Sequence, residues 1–382
     1  MIKRAINLEK LVRPGKVQII YGARRVGKTT LLKEYLSGTK SRYRLDSGDN
    51  IRIQHLFESR DFNAVQEYVE GYELIAIDEA QQIKNIGVGL KILVDNNPKL
   101  EIVVTGSSSF DLAQSMGEPL TGRKKTILLF PLSLLELQSV YNKQEMRDQL
   151  DSFLLFGMYP EIIISKKKAD KIELLRELVD SYLLKDILSL EKVKGSKPLF
   201  DLLKLLAFQI GNEVSLTELA TQVRLDVKTV ARYLDILEKG FVIKRIGAFS
   251  RNLRKEIVSK AKYYFYDVGV RNAVISQFNA LEDRNDIGGL FENFVVMERL
   301  KSNAYMQRIC ETYFWRTYDG QEIDMLEERA GKLFGYEIKW SARGLVKVPK
   351  TWQSAYPQSQ MVQINRENFL SFVLEKKVNH PS

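Results

Sequence analysis

The stretch from Val17 to Leu36 restricts the possible folds of this chain more than any other. Val17-Gln18-Ile19-Ile20-Tyr21 is a short apolar run that reads as a buried strand. Gly22-Ala23-Arg24-Arg25-Val26-Gly27-Lys28-Thr29 then satisfies G-x-x-x-x-G-K-[ST]. From Thr30 onward, Leu31, Leu32, Tyr35 and Leu36 fall on one side of a helix that Gly38 stops. The glycines let the backbone curl with its N–H groups inward, in conformations that a Cβ obstructs. The helix that follows offers free N–H groups and a positive dipole end to an anion. Lys28 brings a charge for β- and γ-phosphates, and Thr29 a hydroxyl for Mg²⁺. Gly22, Arg24, Gly27, Lys28, Thr29 and Thr30 are therefore the expected ATP contacts, on the first strand of an α/β domain.

A second strand delivers acids. Leu74-Ile75-Ala76-Ile77 is a buried run ending in Asp78-Glu79, and α/β sheets bind ligands at the C-terminal ends of their strands. Asp78 is expected to hold Mg²⁺ together with Thr29, and Glu79 to position or deprotonate an attacking water. The same two acids would also suit a cap for a helix starting at Ala80. Glu101-Ile102-Val103-Val104-Thr105-Gly106-Ser107-Ser108-Ser109 repeats the pattern with hydroxyls at the tip. Thr105 and Ser107 are candidates to sense the γ-phosphate or, alternatively, to cap the next helix.

The segments GARRVGKTT, LDSGDN, ELIAIDEAQ, VVTGSSS and LTGRKKTILLFPLS together resemble a prokaryotic AAA-type ATPase family. In that family the ATPase core is joined to a C-terminal region of largely unassigned function. The resemblance runs from about residue 15 to about residue 345. It implies a P-loop core with an additional strand between the P-loop strand and the Asp78 strand. It also places Arg123 of Leu120-Thr121-Gly122-Arg123 in a box before a proline, as a charge for the γ-phosphate in cis or from a neighbouring subunit. A homo-oligomer is accordingly possible. Gly157-Met158-Tyr159-Pro160-Glu161 resembles the family's Gly-x-x-Pro-Glu turn.

The chain has 382 residues, too many for one ordinary domain, with 45% hydrophobic and 28% charged residues as in globular proteins. A net charge of +10 suits an anionic partner such as DNA. Cys310 is the single cysteine, and the two histidines, His55 and His380, make Cys- or His-based metal sites unlikely candidates. The N-terminus carries no signal-peptide core, and the apolar window 126–140 is too short to span a bilayer. The expectation is a cytoplasmic protein without a membrane partner, with a lead-in helix over residues 1–15.

After a helical stretch, residues 199–266 read as a winged helix. Ser215-Leu216-Thr217-Glu218 is a capping box, and Asp226 caps a second helix with Val227, Val230, Ala231, Leu234 and Leu237 inside. Lys228 and Arg232 fall on its other face, and strands from Phe241 and from Lys262 form a wing that carries Arg245, Arg251, Arg254 and Lys255. Lys228, Arg232 and Arg245 are the expected DNA contacts, although such a module also serves as packing.

Farther on, Glu322-Ile323-Asp324-Met325 and Phe334-Gly335-Tyr336-Glu337-Ile338-Lys339 alternate as strands. With Glu292 from the preceding helix, the order Glu292, Asp324, Glu337-x-Lys339 resembles the PD-(D/E)xK nuclease fold. That resemblance implies Mg²⁺ held by Glu292, Asp324 and Glu337, with Lys339 stabilising the nucleophile.

The expected layout is α/β. It comprises an AAA-type core with a parallel sheet between helices (1–135), a helical segment (136–198), a winged helix (199–266) and a restriction-endonuclease-like domain (267–382). The expected function is ATP binding and hydrolysis in a protein that acts on DNA with a possible metal-dependent nuclease. The alternative is an ATP-switched regulator that binds DNA or protein without cleaving.

Overall fold

A computed structural model describes residues 2–107, 120–180, 196–250, 261–317, 320–341 and 348–375. Ser108, Ser109 and the cations Arg251, Arg254 and Lys255, expected on a wing, lie outside them. The chain forms two compact units: Arg4–Pro131 with Lys239–Phe241, and the remainder.

The first unit is built on a five-stranded sheet. Its strands are β1 (Val17–Tyr21), β2 (Tyr43–Ser47), β3 (Leu74–Asp78), β4 (Glu101–Gly106) and β5 (Lys124–Leu128), in the order β2-β3-β4-β1-β5. All neighbours are parallel. Every residue of β1 is buried, as are Leu74–Ile77 of β3, so these strands read as continuous apolar runs. The placing of β4 between β1 and β3 is the additional-strand order that the resemblance implied. Helix α1 (Lys28–Gly38) follows β1 directly and buries Leu31, Leu32 and Leu36. The lead-in helix is shorter than expected, Leu8–Leu11 only, because Val12 is already extended (ψ 130°).

In the second unit, α2 (Ser196–Phe208), β6 (Glu213–Val214), α3 (Leu216–Val223), α4 (Val227–Lys239), β7 (Ile243–Gly247) and β8 (Ala261–Phe265) follow one another. The strands make an antiparallel sheet in the order β6-β8-β7. Ser215 accepts the Glu218 N–H at the start of α3, as the capping pattern predicts. The buried stripe of α4 is Val230, Tyr233, Leu234, Ile236 and Leu237. Val227 and Ala231, expected inside, are exposed, because the aromatic ring of Tyr233 and the side chain of Ile236 occupy the covered face instead.

Helix α5 (Ile287–Tyr305) leads to a four-stranded sheet of β9 (Glu311–Arg316), β10 (Glu322–Arg329), β11 (Lys332–Ile338) and β12 (Gln360–Ile364), in the order β12-β11-β10-β9. The β9, β10 and β11 pairs are antiparallel, whereas β11 and β12 run parallel. One face rests on a cluster of Phe249, Trp315, Ile323, Leu326, Leu333 and Trp352. Among the described residues, no helix is long and apolar enough to cross a membrane.

The turn at Gly157 has a physical explanation that the sequence conceals. Gly157 has φ +72°, and an added Cβ would overlap the carboxylate of Asp267. That carboxylate is buried and accepts N–H bonds from Met158 (2.7 Å), Gly269 (2.9 Å) and Val270 (3.2 Å). Gly157→Ala should therefore lower unfolding free energy by about 2 kcal/mol or more, combining a disfavoured φ with overpacking. Urea titration checks this, and an unchanged midpoint would refute the account.

Candidate functional site

The expected nucleotide residues converge at the C-terminal edge of the first sheet. Gly22 is required by close approach, since a Cβ there would overlap the carbonyl of Leu129, whose N–H donates to Tyr21 O at 2.7 Å. Gly27 has φ +96° and caps α1 without a side-chain acceptor. Lys28 is buried, and its Nζ donates to the carbonyls of Gly22 (3.0 Å) and Ala23 (2.9 Å). Burial lowers its pKa to about 8, against the opposing pull of Glu79 and Asp78. Arg24 is half-buried on the loop, and Thr30 is exposed.

Asp78 is held from two sides. Thr29 Oγ1 of α1 donates to its Oδ2 at 2.7 Å, and Thr105 Oγ1 of β4 donates to its Oδ1. Thr105, wholly buried, also accepts the Glu79 N–H at 3.2 Å. It therefore orients the acid from the neighbouring strand. Glu79 has φ +51° and its carboxylate makes no cap bond to the short helix that follows, so side-chain capping by this residue is not what the structure contains. Ser107 stands at the strand tip, where its N–H donates to Gln81 Oε1 at 3.2 Å.

Two contributors escaped sequence reasoning. Gln81 bridges Ser107 and the Glu79 carboxylate; it lies within ELIAIDEAQ, and only its amide chemistry hinted at such a bridge. Arg4 donates to the carbonyls of Val26 and Phe130, pinning the glycine loop from a segment that carries no motif. Gly48 of LDSGDN is explained as well: its N–H donates to Asp78 O at 2.7 Å, and a Cβ would overlap the Glu79 carbonyl.

Arg123 requires a correction. The register Val17↔Lys124 and Tyr21↔Leu128 puts it at the N-terminal edge of the sheet, opposite the glycine loop. At about 3.3 Å per residue it stands roughly 15 Å away from the phosphate end, and its guanidinium pairs with Asp95. It cannot answer the γ-phosphate of its own chain.

The three carboxylates expected to hold a second metal need a correction too. Glu292 Oε1 accepts Lys262 Nζ at 3.0 Å and Tyr264 OH at 2.7 Å. Asp324 Oδ2 accepts the Ile338 N–H at 2.8 Å and faces Lys339 Nζ at 3.5 Å. Glu337 pairs with Lys339 at 2.8 Å. Ammonium groups separate the acids, and among the described residues no three acids, histidines or cysteines are grouped to hold a metal ion. The residues present do not fit the metal that the nuclease resemblance implied. Burial raises the pKa of Glu292 to about 7, against the opposing charge of Lys262. Glu292, Ile338, Lys339 and Trp340 line a cleft of about 440 Å³ with Gly211, Gly288 and Gly289.

The expected DNA contacts Lys228, Arg232 and Arg245 are all exposed. Lys228 and Arg232 share the outward face of α4 with Val227 and Ala231, and Arg245 stands on β7.

The order of strands, with Lys28, Thr29 and Asp78 at one edge, describes a P-loop core. Residues 14–138 match the AAA domain family. The AAA domain is followed by matches to two domains of unknown function, DUF8612 over residues 147–281 and DUF4143 over residues 287–377. An uncharacterized protein of Mycobacterium tuberculosis is 25% identical over 364 residues, covering 94% of this chain and 78% of the relative. Another, from Methanocaldococcus jannaschii, is 25% identical over 345 residues, covering 85% of this chain and 75% of the relative. Among solved structures, a signal transduction ATPase with a tetratricopeptide repeat sensor from Pyrococcus horikoshii is 14% identical. It covers 77% of this chain and 45% of that chain, with a TM-score of 0.28. Domain III of the replication initiation protein DnaA from Thermotoga maritima is 16% identical. It covers 58% of this chain and 85% of that chain, with a TM-score of 0.26. TM-scores of this size transfer neither fold nor activity.

The geometry separates the roles of Lys28 and Arg123. Lys28→Ala should weaken ATP binding at least tenfold, the loss of a charge-assisted contact of about 1.5–3 kcal/mol. Arg123→Ala should leave the affinity within about twofold. Fluorescent-nucleotide titration measures both, and comparable losses in the two variants would contradict the placement of Arg123.

Proposed function

We propose that this protein is a Mg²⁺-dependent, ATP-hydrolysing AAA-type switch that engages DNA without cleaving it. One observation carries the hydrolytic part: Lys28, Thr29, Asp78 and Glu79 converge on one sheet edge, with Thr105 behind Asp78. These residues fit ATP and its metal, since Mg²⁺ needs few protein ligands when substrate phosphates supply the rest. Bound with the nucleotide, Mg²⁺ supplies charge neutralisation at the phosphates. Lys28 exchanges the carbonyls of Gly22 and Ala23 for phosphate oxygens. Thr29 and Asp78 would hold the metal beside the phosphates, and Thr105 keeps Asp78 oriented. Glu79 polarises the attacking water, and Gln81 holds that carboxylate between turnovers. Arg24 and Thr30 add polar contacts at the rim.

The DNA part is supported by the order helix, strand, helix, helix and two further strands over residues 196–265, which we read as a winged helix. The cations Lys228 and Arg232 on its exposed helix, Arg245 on β7 and the net charge of +10 favour a polyanion. We read the four-stranded sheet with α5 as a nuclease-like fold. Cleavage through Glu292, Asp324, Glu337 and Lys339 is left out of the function because ammonium groups stand between those acids. We place the protein in the cytoplasm.

Glu79→Gln should retain ATP binding and lose turnover by about 10²-fold or more, as expected for a general base; equal steady-state rates would sink the hydrolysis reading. Lys228→Ala combined with Arg232→Ala should lower DNA affinity and reduce the slope of log K against log salt by roughly 2. Fluorescence anisotropy at several salt concentrations checks this, and unchanged affinity would remove DNA from the assignment.

A further inference from the structure

Lys262 is a cation with an unusual address. It lies on β8, its side chain is 1% exposed, and its Nζ meets Glu292 Oε1 of α5 at 3.0 Å and Glu322 Oε1 of β10 at 2.7 Å. Asp324 Oδ1, also of β10, is 3.8 Å away. Tyr264, two residues on and therefore on the same face of β8, donates to the same Glu292 oxygen at 2.7 Å. Beyond Asp324 the alternation continues through Lys339 to Glu337. Acids from two elements are thus gathered round an ammonium group that arrives from a third.

A divalent ion needs carboxylate oxygens at about 2.0–2.6 Å, free of competing cations. Of the oxygens that would supply such a shell, those of Glu292 and Glu322 and Asp324 Oδ1 already face Lys262, and Asp324 Oδ2 and Glu337 face Lys339. A second cation could enter only by expelling that ammonium or by accepting its repulsion at close range. Expulsion is opposed by burial, since an ammonium displaced within a covered strand would lose all its partners together. Glu292, Asp324 and Glu322 together hold Lys262 in its charged form despite the desolvation that works against it.

We propose that Lys262 is the resident cation of this cluster, fixed by the chain at the position a divalent metal would take. The carboxylates then serve to seat β8 against α5 and β10, and the adjoining cleft is a metal-free binding surface. Removing the ammonium turns the same acids into a site for Mn²⁺ or Mg²⁺. This inference is independent of ATP hydrolysis and is tested without nucleotide.

The test uses full-length, nucleotide-free protein and Mn²⁺ followed by electron paramagnetic resonance, with circular dichroism and melting curves to confirm folding. Wild type and the charge-preserving Lys262→Arg should show no Mn²⁺ uptake that Asp324→Asn abolishes. Lys262→Met should gain one Mn²⁺ per chain, bound at least tenfold tighter than by wild type and lost again in Lys262→Met/Asp324→Asn. Stoichiometric, Asp324-dependent Mn²⁺ binding by wild type would overturn the proposal, and so would a folded Lys262→Met that binds no more than wild type. Should Lys262→Met fail to fold, the wild-type and Asp324→Asn comparison still decides.

Discussion

The Arg299 guanidinium is wholly buried within α5 and meets Glu327 of β10 through paired bonds, Nε to Oε1 at 2.8 Å and Nη2 to Oε2 at 3.0 Å. Its remaining donors reach Phe372 O at 2.6 Å and Glu375 at 3.0 Å. A charge removed from water in this way has to be answered completely, and breaking one member of such a pair costs about 3–5 kcal/mol. Other buried charges on and around α5 are answered in the same way. Arg271 and Arg284 share Asp286 at the start of α5, Lys301 answers Glu298, and Lys262 answers Glu292 and Glu322. The helix is consequently a spine of ion pairs whose geometry fixes the elements around it.

The first unit uses charge differently. Lys28 is buried with only carbonyl oxygens as partners, and its lowered pKa records an ammonium held short of full compensation. A group in that state gains much when phosphates arrive, which is the property a nucleotide loop needs. In the second unit the pairs are closed, and the lysine among the acids is committed to them. The same chemistry, a lysine beside carboxylates, is open to a ligand in one place and sealed in the other.

This contrast explains what could be read from the residues alone. The glycine loop, the strand ending in Asp78 and the strand carrying Thr105 were legible because their meaning is local: consecutive residues, a fixed spacing and a strand period. The capping of α3 by Ser215 was legible for the same reason. The pairing of Glu292 was not legible because its partner, Lys262, lies 30 residues earlier and was read as the first residue of a wing strand. The place of Arg123 within its own chain was not legible because its distance from the loop follows from strand register, a property no single segment displays. Asp267 and Arg4 were invisible on similar grounds, since each acts on backbone groups, and backbone groups leave no signature in composition.

Arg4 binds two carbonyls at once, one on the glycine loop at Val26 and the other at Phe130, just past the end of β5. Gly22 abuts the carbonyl of Leu129, the residue before Phe130. Together they make the loop and the chain's exit from the sheet a single mechanical part. A loop that shifts to receive phosphates has to stretch the Arg4 bonds or carry Phe130 with it. Any movement of the glycine loop would thus be passed to the backbone at Phe130 through hydrogen bonds alone.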